Sequence, residues 1–209
     1  MMNQNHEQLI KELTASDVLK SSRIIKAFAS IDRANFVPEE LVRNAYINAP
    51  LSIDHQQTIS QPQTVAFMLE LLQPKPGNKI LDIGSGSGWQ TALLAHIVGP
   101  KGKIFGIELI PELYEQSITN ISKYDFIKKG IVKMYRQNAS DGLPDKAPFN
   151  HIIAAAEVSA IPQAWKDQLK IGGRLVAPQN NGLILLTKKA DRSFEEEQFP
   201  DFAFVPFVV

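Results

Sequence analysis

The chain contains no cysteine. That excludes disulfides, thiolate metal sites and a cysteine nucleophile. Histidine is scarce as well: His6, His55, His96 and His151 are scattered without ligand spacing, so no metal site is expected. Neither sign of charge is in excess, with 22 Lys+Arg against 22 Asp+Glu and a formal net charge of zero. A broad grip on a phosphate backbone needs a basic footprint, so nucleic acid is not an expected partner; a small local basic patch stays open. No apolar run approaches the ~18 residues of a membrane span. The first residues, Met1 to Thr14, are polar and lack the apolar core of a secretory signal. The expectation is a cytoplasmic, monomeric enzyme away from the membrane.

What is present is enough to build one globular domain: 209 residues, 44% hydrophobic and 21% charged. No internal repeat stands out. Apolar residues at helical spacing mark Gln8 to Leu13 and Ile24 to Ile31. Phe36 to Gln61 reads as irregular, and Gln61 to Leu72 as a helix with Pro62 in its first turn. From there short apolar strands alternate with helices. The strands are Lys79–Ile83, Lys103–Glu108, Ile131–Tyr135, Asn150–Ala154, Arg174–Ala177 and Leu183–Lys188; the helices are Trp89–Val98, Pro111–Lys123 and Pro162–Leu169. The tail Phe202–Val208 is expected to be a last buried strand near an edge, because Pro206 interrupts it. The alternation predicts an α/β fold, a doubly wound and mostly parallel sheet with a helical N-terminal region. The whole of 1–209 is one domain, with 1–60 bordering the substrate site and 61–209 forming the cofactor-binding sheet. Ligands in such sheets bind at the carboxyl ends of the strands.

Gly84, Gly86 and Gly88 follow the first strand and open the next helix, as Leu81-Asp82-Ile83-Gly84-Ser85-Gly86-Ser87-Gly88. Glycine here lets the backbone turn sharply and lets a ligand approach main-chain N–H groups. A dinucleotide fingerprint wants its third glycine where Trp89 stands, which argues against a nicotinamide enzyme. A tight turn with no ligand is the plainer alternative. Glu108 ends the second strand, where a carboxylate can accept both ribose hydroxyls of an adenosine; taken alone it would be a helix-start charge before Pro111. Asp82 can anchor the loop or reach the amino group of a methionine moiety. Asp141-Gly142 is a turn signal by itself and in this context can meet an adenine amino group.

These residues carry a resemblance. Gln57-Thr58-Ile59-Ser60-Gln61-Pro62, the loop Leu81–Gly88, Gly106-Ile107-Glu108, Asp141-Gly142, Ala147-Pro148-Phe149, Gln168 through Leu175 and Phe204-Val205-Pro206 stand in the order found in the protein-L-isoaspartate O-methyltransferase family. The chain resembles that family from about Phe36 to Pro206. The glycine loop is shared by many methyltransferases; Gln-Thr-Ile-Ser-Gln-Pro and Phe-Val-Pro are far more specific. The resemblance implies a Rossmann-like class I methyltransferase with an altered order of the last strands. It implies S-adenosylmethionine as cofactor, S-adenosylhomocysteine as product, and isoaspartyl residues of damaged proteins or peptides as acceptor. Methylation of the free carboxylate there leads to a succinimide and repair. Ser60 is implied as the active-site serine, and Gln57, Thr58, Ile59 and Ser60 as lining the cofactor and substrate site. By its residues alone Ser60 would read as a helix cap before Pro62.

The stretch before Gln57 departs from the family pattern. Asn48 replaces the usual Asp, Asp54 and Gln56 replace two glycines, and Ser140 replaces the glycine before Asp-Gly. Asp54 would repel a carboxylate acceptor if it faced the site, and would strain the backbone if the position needs positive φ. Two alternatives follow: a methyltransferase on the same scaffold with a small-molecule acceptor, or a non-catalytic cofactor-binding paralogue. Phe202, Phe204 and Phe207 read as core rather than as a cofactor box.

Overall fold

In a computed structural model describing residues 3–208, one seven-stranded sheet carries the molecule. The strands are β3 (Lys79–Ile83), β4 (Lys103–Glu108), β5 (Val132–Arg136), β6 (Phe149–Ala154), β7 (Leu169–Gln179), β8 (Gly182–Lys188) and β9 (Phe194–Pro200). Their spatial order is β5-β4-β3-β6-β7-β8-β9. The strands β5 through β7 run parallel, and β8 and β9 are antiparallel additions at one edge. A two-stranded hairpin, β1 (Leu51–Ser52) and β2 (Thr58–Ile59), precedes the sheet.

Period-two alternation divides the core into two layers. Ile80, Ile104, Val132, Val176 and Leu185 point to one face. Their neighbours Leu81, Phe105, Leu175 and Leu186 point to the other. The first face is covered by α1 (Gln4–Ala15), α2 (Ser22–Ser30), α3 (Pro62–Leu72), α4 (Trp89–Val98) and α5 (Pro111–Ser122). Nearly every residue of α4 is buried, because it lies between the sheet and α2. The second face is thinner: α6 (Gln163–Asp167), whose Trp165 is fully buried, and loop residues such as Leu143, Val158 and Ile161.

One expectation at the edge is corrected. The last strand is β9, and the tail Phe202–Val208 is not a buried strand of the sheet. The segment Phe194–Pro200, where no strand was expected, pairs with β8 along its whole length, from Gly182↔Pro200 to Lys188↔Phe194. Charged side chains suit an edge strand because they deter further pairing. With the edge taken, the tail turns back over the carboxyl ends of the strands, its side chains half-buried or exposed. Glu157 clips it there: its N–H donates to the Val205 carbonyl (2.8 Å) and its carbonyl accepts from Phe207 N–H (2.8 Å).

Candidate active site

The connection from β3 to α4 passes through Gly84, Gly86 and Gly88, all at positive φ. Gly88 is the N-cap of α4, and a Cβ there would stand 3.0 Å from Ile121 and 3.2 Å from the Ser117 carbonyl, so the close approach of α4 to α5 demands glycine. Trp89, at the position a dinucleotide fold gives to glycine, is buried between Phe28 (edge-on, 5.5 Å) and the Arg33 guanidinium (5.3 Å over the ring).

Glu108 binds this loop to the end of β4. Its carboxylate accepts from Gly86 N–H (2.8 Å), Leu109 N–H (2.8 Å) and Ile110 N–H (3.0 Å). Asp82 is completely buried one strand away, accepting from Gln90 Nε2 (2.7 Å) and Thr91 Oγ1 (2.5 Å). Burial pushes its carboxyl up to about 6, against the pull of the two hydrogen bonds.

A pocket with about 850 Å³ of empty space, its open mouth included, lies across the carboxyl ends of β3, β4 and β6. Gln57, Thr58, Ile59, Ser60, Gly84, Gly86 and Glu108 line it, so the structure brings seven of the expected residues together. Asp82, Gly88, Asp141 and Gly142 stand outside the lining. Asp82 is held beneath the loop by its two donors and fixes the start of α4. Asp141 is exposed, and the turn it makes with Gly142 is locked by Gln168, whose Nε2 donates to the Asp141 carbonyl (2.7 Å). Their places at the wall are taken by Gln90, Gln137, Ala139, Ala155 and Ala156, with Val205 to Val208 of the tail closing one side. Gln90 could have been foreseen in the first turn of a glycine-loop helix; the tail could not, since its apolar residues carry a strand pattern.

Ser60 is half-buried, and among the described residues only its carbonyl, not its hydroxyl, takes part in a side-chain hydrogen bond. It does not cap α3: Gln61 holds the N-cap position. Ser60 lines the main pocket and also a second groove, formed with Pro50, Thr58, Gln61, Thr64, Ala155 and Ala203 to Val205. The segment bearing it is pinned by Arg33, which sequence reasoning missed. Arg33 is 1% exposed. It donates to the carbonyls of Ala45 (2.8 Å), Ala49 (3.0 Å) and Ser60 (3.1 Å), with longer contacts to Ile47 and Ile59. Burial lowers its pKa to about 10, so it stays charged near neutrality.

The residues that depart from the family pattern are peripheral. Asn48 faces the first turn of α3, accepting from Gln63 N–H (3.0 Å). Asp54 is exposed and lines neither cavity, so its carboxylate does not confront an acceptor there. Its backbone is another matter: Asp54, His55 and Gln56 all sit at positive φ, at 72°, 49° and 58°. Among the described residues no cluster of three or more His, Asp or Glu is arranged to hold a metal.

A family model described as protein-L-isoaspartate(D-aspartate) O-methyltransferase matches residues 3–209. A protein-L-isoaspartate O-methyltransferase of Aeropyrum pernix is 38% identical over 205 residues, 96% of this chain and 78% of the relative. One of Methanopyrus kandleri is 35% identical over 206 residues, 97% of this chain and 90% of the relative. Among solved structures, a Plasmodium falciparum chain described under the same name, in complex with S-adenosyl-L-homocysteine, superposes with a TM-score of 0.89. It covers 99% of both chains at 24% identity, a likeness of fold.

Proposed function

The chain belongs to the protein-L-isoaspartate(D-aspartate) O-methyltransferase family, and from that membership we propose which of its residues carry the reaction. It is a methyltransferase that uses S-adenosylmethionine and methylates the free carboxylate of L-isoaspartyl residues in damaged proteins.

The main pocket suits the cofactor. Its glycines keep side chains off the floor: a Cβ on Gly86 would already touch Ile53 at 3.4 Å. Glu108 spends its oxygens on three backbone donors yet still lines the pocket, where remaining lone pairs accept from a ribose. Gln90 and Gln137 supply neutral donors and acceptors at the wall. When bound, the cofactor supplies an electrophilic methyl group on a positively charged sulfur.

The acceptor needs no general base, because a carboxylate with an ordinary pKa near ~4 is already ionised at neutral pH. The protein's task is positioning and electrostatics. Ser60 is assigned to hold the acceptor carboxylate, its hydroxyl donating one hydrogen bond from the wall shared by pocket and groove. The observation that carries this is that an unpartnered hydroxyl stands where the two cavities meet. Thr58, Ala155 and Val205 share that wall, and Gln57 and Ile59 line the main pocket beside it. The zero net charge supports a protein rather than a nucleic-acid partner, and singly scattered exposed apolar residues support a monomer. No helix among the described residues is long and apolar enough to cross a membrane, in keeping with the proposed cytoplasmic location.

The test compares methyl transfer to an isoaspartyl peptide and to its normal aspartyl twin. Wild type should methylate only the first. Ser60→Ala should lose ~10²-fold in turnover while keeping its affinity for S-adenosylhomocysteine. Near wild-type turnover in the variant would remove Ser60 from the site.

A further inference from the structure

At the end of the sheet away from the active site, the first residues of β6 and β7 and the turn before β3 enclose a second cavity. It has about 800 Å³ of empty space, open mouth included, and its lining is polar. Lys75, Lys170, Arg174 and His151 contribute to it, with the amides of Gln73, Asn78 and Asn150, and no Asp or Glu takes part. Lys79 and Lys146 stand close enough that Lys79 is disfavoured as a cation first by burial and then by Lys170 and Lys146. In a chain whose charges balance, these five cations are not paired: none lies within 4.0 Å of a carboxylate among the described residues. Arg174 is fixed by a bond to the Leu71 carbonyl (2.7 Å), at the carboxyl end of α3. Lys75 and Lys170 have no such duty; both are exposed, and Lys170 reaches only the Asn150 amide oxygen at 3.5 Å.

His151 forms the back of the cavity and is 9% exposed. Its Nδ1 accepts from Arg174 N–H (3.4 Å), which leaves Nε2 to donate to Asn78 Oδ1 (3.1 Å), so the ring is held neutral. Burial, then Arg174, then Lys75 keep it so, with a pKa lowered to about 4. Gly172, at positive φ, leaves the rim without a side chain; a Cβ there would meet nothing within 4 Å.

We propose that this cavity binds a small polyanion of the phosphate-ester or pyrophosphate class. The two lysines and the arginine converge on one concave space rather than along a stripe, which fits a compact ligand and not a nucleic-acid backbone. Lysines are point charges that meet phosphoryl oxygens without needing a fixed fork, and the Asn150 amide adds a neutral donor at the wall, while the Gln73 amide nitrogen is spent on the Glu70 carbonyl and carboxylate. A ligand with two or more charges offsets the mutual repulsion of the cations, which a single carboxylate does only in part.

Calorimetric titration of the intact chain with inorganic phosphate and with pyrophosphate tests this. Pyrophosphate should bind about tenfold tighter than phosphate and weaken as salt rises. The double substitution Lys75→Met with Lys170→Met should weaken pyrophosphate about tenfold or more, with isoaspartyl methyl transfer in its absence unchanged. An independent reading is the NMR titration of His151, whose pKa should rise when the ligand cancels the field of Arg174 and Lys75. Three results overturn the proposal: no binding at about 10 mM pyrophosphate, binding that survives the double substitution, or binding that S-adenosylhomocysteine displaces.

Discussion

At the scale of single residues, two charged groups hold the site in shape while lying at different depths. Glu108 ties the glycine loop to β4 and faces the pocket. Glu108→Ala should weaken S-adenosylhomocysteine binding by about 1–3 kcal/mol, the range for hydrogen bonds to a charged group; unchanged affinity by calorimetry would remove it from the cofactor site. Arg33 never reaches the cavity wall. Its bonds to Ala45, Ala49 and Ser60 gather three carbonyls of an otherwise irregular segment around one buried charge. Replacing it by Met strands those acceptors, at about 3 kcal/mol or more in total stability. Under conditions where Arg33→Met stays folded, turnover should fall while cofactor affinity holds, because the glycine loop does not depend on these bonds. Arg33→Lys should not rescue, since a single ammonium nitrogen cannot span carbonyls that the guanidinium meets from two separate nitrogens. A lysine variant with wild-type stability and turnover would show that charge alone suffices. The sequence did not reveal Arg33 because its partners are backbone carbonyls, which carry no residue signature.

At the scale of elements, the periodic parts were readable and the aperiodic parts were not. The strands β3 to β6 and the helices α3 to α5 fall within a few residues of where apolar spacing places them, since a buried parallel strand and an amphipathic helix both write their environment into hydrophobicity. The edge strand β9 escaped because one solvated side lets it be mostly glutamate and glutamine. The hairpin β1–β2 escaped because its tip is unlike a hairpin turn. Gln57 N–H closes on the Asp54 carbonyl (2.8 Å), making His55 and Gln56 the central pair of a turn that normally takes Asn-Gly. Asp tolerates the left-handed region, but Gln56 at φ 58° does so at a cost. Gln56→Gly should therefore stabilise the chain by about 0.5–1 kcal/mol, the relief of left-handed strain less the entropy glycine adds to the unfolded state. The Michaelis constant for isoaspartyl peptide should barely move, because the Gln56 side chain is exposed and lines neither cavity. Denaturant unfolding decides it: a destabilised variant would mean that the Gln56 side chain does work its hydrogen bonds do not reveal.

At the scale of the whole molecule, two buried titratable groups on neighbouring strands of the sheet make contributions that oppose each other. Asp82 lies under the active-site end of β3, and burial raises its pKa from 3.8 to about 6. The folded state then binds the extra proton between those values, so this stabilisation is present at low pH and is lost as pH rises through about 6. His151 lies on the adjacent strand β6, in register with Ile80 and two rungs nearer the other end, and is lowered from 6.5 to about 4. Here the unfolded state binds the extra proton, so stability is full above 6.5 and is lost as pH falls through about 4. Each shift amounts to something on the order of 3 kcal/mol, and the two windows overlap almost completely. The pair should nearly cancel in wild type and leave little slope of their own. Separating them exposes both slopes. Asp82→Asn removes the term that favours acid, so its stability should climb with pH relative to wild type across the window. His151→Gln removes the term that favours base, so its stability should decline with pH relative to wild type over the same range. Both substitutions keep an amide within reach of the former partners, Gln90 and Thr91 in one case and Asn78 in the other, so the difference between pH values is informative even if each variant loses some stability at every pH. Urea unfolding of the three proteins at matched pH values reads the slopes directly. Three parallel curves would mean that neither group changes its proton affinity on folding, and that burial alone does not set their pKa values.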